Sequence, residues 1–356
     1  MVDMRSEKKT LKSLETLRIF AAIAVVFSHA GMFSIPFINA FLGVHRFLGA
    51  IGVDVFFIVS GYVMYLSASS ASVGCEGAAR FLLNRVLRIF PLYLIVTGLW
   101  LVIELNAGVH FEMQYIVESL LLLPSKVGIQ QKDPIVYLGW TLRFELYFYL
   151  LVSLGIALKS RLVFPITGIV VSFVIWLFNG YYFGAPIVLE FIGGFLLAFF
   201  MSRKPDYVVS SWRDFVGFFV SLGLLILASM AKDFGYDSGG IYTDVPRMWI
   251  VYQDKLPVVR CVAWGVPALM LVYFSIRLED KWNWPFAKLG KYTFSLYLLQ
   301  VFTNPLAESF QASMSDTWAF ICGLGLLFVL TYASYTYFEK PILKTTLYRL
   351  KAGSKS

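Results

Sequence analysis

Charge is what this 356-residue sequence has least of. Only 15% of its residues are charged, against roughly a quarter in a soluble domain, while 58% are hydrophobic and the mean hydropathy is +0.72. That balance excludes a water-soluble globular chain. Cysteine and histidine are equally scarce, three of each. Cys75, Cys261 and Cys322 cannot make a closed disulfide set, and His29, His45 and His110 lack the i, i+4 or Cys-x-x-Cys context of a metal site. No metal and no permanently bound cofactor are therefore expected. Internal repeats are absent to inspection, and no soluble domain of useful size separates the apolar runs. The first run is too long for a signal-peptide core and lacks a small-x-small cleavage site.

What the sequence does contain is a succession of continuously apolar stretches near the ~20 residues that a bilayer core demands. They predict ten transmembrane helices, over 14–35, 48–67, 90–107, 138–158, 162–179, 185–201, 214–231, 259–276, 289–309 and 317–338. Continuous apolarity, rather than period-two alternation, argues against a barrel. The fold class expected is an all-α polytopic membrane protein. Its parts are a cytoplasmic segment at 1–13, a membrane domain at 14–342 and a basic cytoplasmic tail at 343–356.

Lysine and arginine collect on alternate connections: Arg5 to Lys12, Arg80 to Arg88, Lys159 and Arg161, Arg203 to Arg213, Arg277 to Lys291, and the tail from Lys340. By the positive-inside bias both termini are cytoplasmic. Spread over many short loops, the +8 net charge makes no single basic patch, so no nucleic-acid partner is implied. The longer external segments, about 107–137 and 232–258, mix aromatic and acidic residues such as Tyr115, Asp133, Tyr242 and Asp244. They read either as sugar-contacting surfaces or as an interfacial aromatic belt with a solvated loop.

Ionisable residues inside apolar runs are costly and mark functional sites. Arg18 and His29 share the first run; eleven steps of about 100° come within ~20° of three turns, so both lie on one helix face, ~16 Å apart along the axis. Counting depth places His29, Asp54, Glu145, Glu190 and Gln300 in one outer layer. Each reads also as a structural hydrogen-bond partner, and Arg18 as a residue snorkelling to the surface. A layer combining imidazole and carboxylate can deprotonate a hydroxyl, and equally can relay protons in a secondary transporter or flippase. On the cytoplasmic side Arg85 and Arg88, three apart, join Arg18 in a rim whose guanidinium forks suit phosphates. Ser60 has no evident base beside it, so a covalent acyl carrier there is not expected. Trp140 and Tyr149 read as packing or belt residues.

These residues sit in an ordered set of motifs: Arg18 and His29, GVDVFFIVSGYVM at 52–64, RVLRIFPLY at 85–93, WTLRFELYFYL at 140–150, LEFIGGFLLA at 189–198, GVPALMLVY at 265–273, LGKYTFSLYLLQ at 289–300 and YFEKPI at 337–342. Together they resemble the bacterial integral-membrane acyltransferase family 3. Gln300 stands where many relatives have histidine, Lys291 where an acidic residue is usual, and Asn84 where a further basic residue is common. No appended extracytoplasmic hydrolase-like domain follows, so transfer is expected to be completed in the membrane domain or through a separate protein. The resemblance implies a multi-pass enzyme of the bacterial cytoplasmic (inner) membrane. It would move an acyl group, most often acetyl, from cytoplasmic acyl-CoA to a hydroxyl of an extracytoplasmic or lipid-linked glycan. Acyl-CoA is then a co-substrate rather than a resident cofactor. On this reading Arg18, Arg85 and Arg88 hold the donor's phosphates and His29 is the general base. Glu145 orients or balances His29 or holds the acceptor, and Asp54, Glu190 and Gln300 belong to the acceptor side or its hydrogen-bond network.

Overall fold

The computed structural model describes residues 11–29, 35–45, 47–127, 130–179, 181–203, 211–230, 261–311 and 313–344. The segment 1–10, the tail beyond 344 and the whole of the aromatic and acidic segment 232–258 lie outside the described residues. Along the chain come α1 (Lys12–Ser28), α2 (Pro36–Val44), α3 (Leu48–Ser69), α4 (Cys75–Asn106) and α5 (Met113–Leu120). A short antiparallel ribbon follows, β1 (Ser125–Val127) with β2 (Gln130–Lys132). Then come α6 (Gly139–Ala157), α7 (Val163–Asn179), α8 (Val188–Arg203), α9 (Trp212–Ser229), α10 (Val266–Arg277), α11 (Thr293–Gln311) and α12 (Asp316–Ala333). Apart from the ribbon, regular structure among the described residues is helical, as expected of an all-α membrane protein.

Helices 48–69, 75–106, 139–157, 212–229 and 316–344 are long and apolar enough to cross a membrane, and 163–178 and 261–277 are shorter apolar helices. The runs expected at 14–35, 185–201 and 289–309 are helical but shorter or more polar. Two expectations about the ends need correcting. The first helix stops at Ser28, which makes His29 its C-terminal capping residue rather than an interior one. The helix expected from residue 90 begins at Cys75 and runs 32 residues, with Pro91 inside it rather than near its start. At 1.5 Å per residue α4 spans ~48 Å, longer than a ~30 Å hydrocarbon core is thick, and it carries Arg85 and Arg88 as helical residues.

Lipid supplies no hydrophobic drive between helices, so close approach depends on small residues. Gly61 and Gly194 provide it where α3 crosses α8: a Cβ at either would collide with the facing helix backbone, at Phe191 and Ile58 respectively. Phe57 stacks on Phe191 with ring centroids 4.4 Å apart, and Phe148 on the same ring at 4.8 Å, which locks α3, α6 and α8 together. Replacing Gly61 with Val is expected to cost about 1–3 kcal/mol by overpacking and to lower the melting temperature in detergent. Gly98→Ala, whose new methyl meets open space, should leave it unchanged or slightly raised.

The start of α1 is fixed from across the molecule. Helix N-termini expose unsatisfied N–H groups and a partial positive charge. Glu279, just beyond α10, accepts from Lys12 N at 2.7 Å and Ser13 N at 2.8 Å. The cap anchors the helix that carries Arg18 six residues later.

Candidate active site

Five helices, α1, α3, α4, α6 and α11, surround a cleft enclosing about 810 Å3 of empty space, its open mouth included. Along α3 the lining residues Val53, Phe57, Ser60 and Met64 recur on one helical face. Eleven residues at 1.5 Å make that face ~16 Å long. One part of the lining is cationic: Arg18 from α1 and Arg85 and Arg88 from α4. Helical spacing of three puts the two α4 arginines side by side, and the length of α4 brings them level with Arg18. The other end is apolar and aromatic, with Val53, Phe56 and Tyr297; the Phe56 and Tyr297 rings meet edge to face at 6.1 Å.

Glu145 stands among these arginines. Its Oε1 accepts from Ser60 Oγ at 2.9 Å and from the Tyr149 hydroxyl. Arg18 also pairs with Glu15 at 3.3 Å, and Arg85 donates to Ser67 Oγ at 2.5 Å while lying over the Tyr149 ring at 5.8 Å. Such a site, fixed cations whose mutual repulsion nearby carboxylates partly offset, attracts an anion bearing several charges.

His29 lies beyond the other end of the cleft. Its Nδ1 is 3.2 Å from Gln300 Oε1, and its ring meets Tyr137 edge-on at 5.6 Å. Gln300 Nε2 donates to Tyr297 O at 2.9 Å, which fixes the amide so that its oxygen faces the imidazole. An acceptor there selects the tautomer protonated on Nδ1 and leaves the lone pair on Nε2, the form a general base needs.

Residues 11–336 match the family described as an acyltransferase domain. The chain belongs to that family. A curated relative, the exopolysaccharide production protein ExoZ of Rhizobium meliloti (strain 1021), is 29% identical over 202 residues, 51% of this chain and 62% of that protein. The match thus spans less than two thirds of the relative's length. No solved structure matches significantly.

Within this acyltransferase the single outer layer read from the sequence divides into three places. Glu145 sits with Arg18, Arg85 and Arg88, and accepts from Ser60 and Tyr149, whereas the side chain that meets His29 Nδ1 is Gln300. Asp54 and Glu190 are buried outside the cleft lining, Glu190 against Gly265. The depth count failed for Glu145 because depth says nothing of which way a side chain faces. Ser60 and Tyr149, set aside from the sequence, prove to hold Glu145. A signal for Tyr149 was present, since residues i and i+4 share a helix face.

The segment before α6 is a folded cap rather than a loose loop. Arg143, 1% exposed, donates to Lys132 O at 2.7 Å, Tyr115 donates to Asp133 O at 2.8 Å, and the Lys132 ammonium lies 3.6 Å from the centre of the Tyr115 ring. Burial pushes the Asp133 carboxyl up from its ordinary 3.8 to about 7, outweighing the opposing pull of Arg143. A folded pKa above the unfolded one gives stability that is fully present below about pH 4 and lost as pH rises through about 7. Amide exchange over 113–138, corrected for its intrinsic pH dependence, is expected to show a looser cap at pH 8 than at pH 5. Asp133→Asn should flatten that difference.

Proposed function

We propose that this acyltransferase takes an acyl group, acetyl in the first instance, from cytoplasmic acyl-CoA and places it on a hydroxyl of an extracytoplasmic or lipid-linked glycan. The observation that carries the reading is the convergence of Arg18, Arg85 and Arg88 in one end of a ~16 Å cleft whose other end leads toward His29. Acyl-CoA has that polarity, with phosphates at one end, a long flexible arm and a reactive thioester at the other. Arg18, Arg85 and Arg88 hold the phosphates, and Glu145 balances their charge beside the arm. His29, oriented by Gln300, removes the proton of the acceptor hydroxyl as it attacks the thioester carbonyl. The thiolate leaves and takes that proton back from the imidazolium, so no resident cofactor enters the exchange. Asp54 and Glu190, buried outside the cleft lining, take no direct part in the exchange. The glycan acceptor is supported by the name of the relative, an exopolysaccharide production protein.

Ten membrane crossings with both termini cytoplasmic, in a bacterial cytoplasmic membrane, suit this vectorial reaction. They divide the chain into a cytoplasmic lead at 1–13, the catalytic membrane domain at 14–342 and a basic tail at 343–356, where the positive-inside bias places them. The test is transfer of radiolabel from acetyl-CoA enclosed with the inner face of proteoliposomes to glycans added outside. Label appearing on the glycan with release of free CoA supports the reading. Failure of the protein to bind acyl-CoA or to transfer from any acyl-CoA overturns it, and movement of a glycan without acyl-CoA consumption assigns transport instead.

A further inference from the structure

We infer that Tyr297 is a catalytic residue of the transfer, its hydroxyl donating a hydrogen bond to the thioester carbonyl oxygen as negative charge develops there. The inference rests on the acyl-CoA reading above and gives that reaction an electrostatic partner for His29.

Tyr297 stands where the two halves of the site meet. Its side chain lines the apolar end of the cleft, the end away from the arginines, where an extended donor puts its thioester. Three residues on along α11, one turn on the same face, Gln300 holds His29. The Tyr297 carbonyl also accepts from the Gln300 amide that orients the histidine. The tyrosine that lines the cleft and the glutamine that holds the histidine are thereby set one helical turn apart on the same helix.

The hydroxyl can also turn from Leu138 O without stranding that carbonyl. Tyr297 is 7% exposed, and its hydroxyl is 3.1 Å from Leu138 O and 2.9 Å from Thr141 Oγ1. Leu138 O has a second donor in Thr141, at 3.1 Å. Rotation of the tyrosine O–H toward a substrate oxygen therefore leaves no buried carbonyl stranded, the usual obstacle to such an exchange. The edge contact with Phe56 holds the ring in place while the proton turns. In the step itself the acceptor oxygen bonds to the carbonyl carbon, its proton passes to His29, and the carbonyl oxygen becomes an oxyanion that the Tyr297 O–H stabilises. The C–S bond then breaks, the carbonyl re-forms as an ester, and the departing thiolate takes the proton from His29. Tyr297 keeps its own proton throughout.

Tyr297→Phe deletes the hydroxyl and keeps the ring. It is expected to lower kcat on the order of 10²–10³-fold, the usual effect of losing one oxyanion donor. Dissociation of a non-transferring acyl-CoA analogue and the melting temperature should both stay close to wild type. A spectroscopic measurement separates this role from a structural one. With 13C-carbonyl acetyl-CoA bound in a His29→Ala background, the infrared carbonyl stretch should lie lower when Tyr297 is present than in the Tyr297→Phe variant. A kcat within threefold of wild type, an unshifted carbonyl stretch, or a loss of turnover matched by loss of donor binding and melting temperature each overturns the inference while leaving the acyl-CoA reading intact. A wild-type protein that neither binds nor consumes acyl-CoA overturns both.

Discussion

His29→Ala is expected to lower kcat by about 10²–10⁴-fold, the range over which a positioned general base contributes, with donor affinity unchanged. The reasoning is geometric. His29 caps α1 beyond the apolar end of the cleft and is held by Gln300, while Arg18, at the cationic end, lies ~16 Å away along the same helix. Removing the imidazole takes away the acceptor's base and leaves the donor's contacts alone. Single-turnover rates after donor saturation, beside the dissociation constant of acyl-CoA, measure the two quantities separately. A variant that transfers at the wild-type rate would remove His29 from the chemistry. One that loses donor binding in proportion would instead make it a structural end to α1.

The arginine pair should show the opposite division. Replacing Arg85 and Arg88 together by Ala is expected to raise the KM for acyl-CoA by on the order of 10²-fold or more, since two charge-assisted contacts at about 1.5 kcal/mol each amount to roughly 3 kcal/mol. The kcat extrapolated to saturating donor should move far less. Glu145 complicates the alanine variant, because a carboxylate left beside Arg18 alone carries more uncompensated charge in a low-dielectric setting. The double lysine variant controls for this: it keeps both charges and loses only the planar fork, so its KM should fall between wild type and the alanine pair. Donor affinity of the wild type should also weaken with added salt, more steeply than in the alanine variant. Equal KM values for all three proteins would place the phosphates elsewhere.

Much of this was legible in the chain because a membrane simplifies the reading. Where almost every residue is apolar, Arg18, His29, Arg85, Arg88 and Glu145 stand out without any knowledge of packing, and their spacing along single helices fixes which share a face. The boundaries were less legible. Pro91 suggested a helix start, yet the helix continues through it, since a proline's lost hydrogen bond does not end a helix that its neighbours support. The ribbon and cap before α6 were read as loop because strands of three residues leave almost no periodic signal.

Sequence alone thus determined the class of molecule, the residues whose charge had to be accounted for, and the separation of Arg18 from His29 along one helix. These follow from composition and from helical geometry, which are local. Only the tertiary structure decided partnership: that Glu145 joins the arginines, Ser60 and Tyr149, that Gln300 meets His29, that Asp54 and Glu190 are buried outside the cleft lining, and that Tyr297 lines the cleft one helical turn before Gln300. Depth in a membrane can be counted from a helix end. The direction a side chain faces is set by how each helix is rotated against its neighbours, through contacts such as Gly61 on Phe191 that join residues 130 positions apart in sequence (191 − 61).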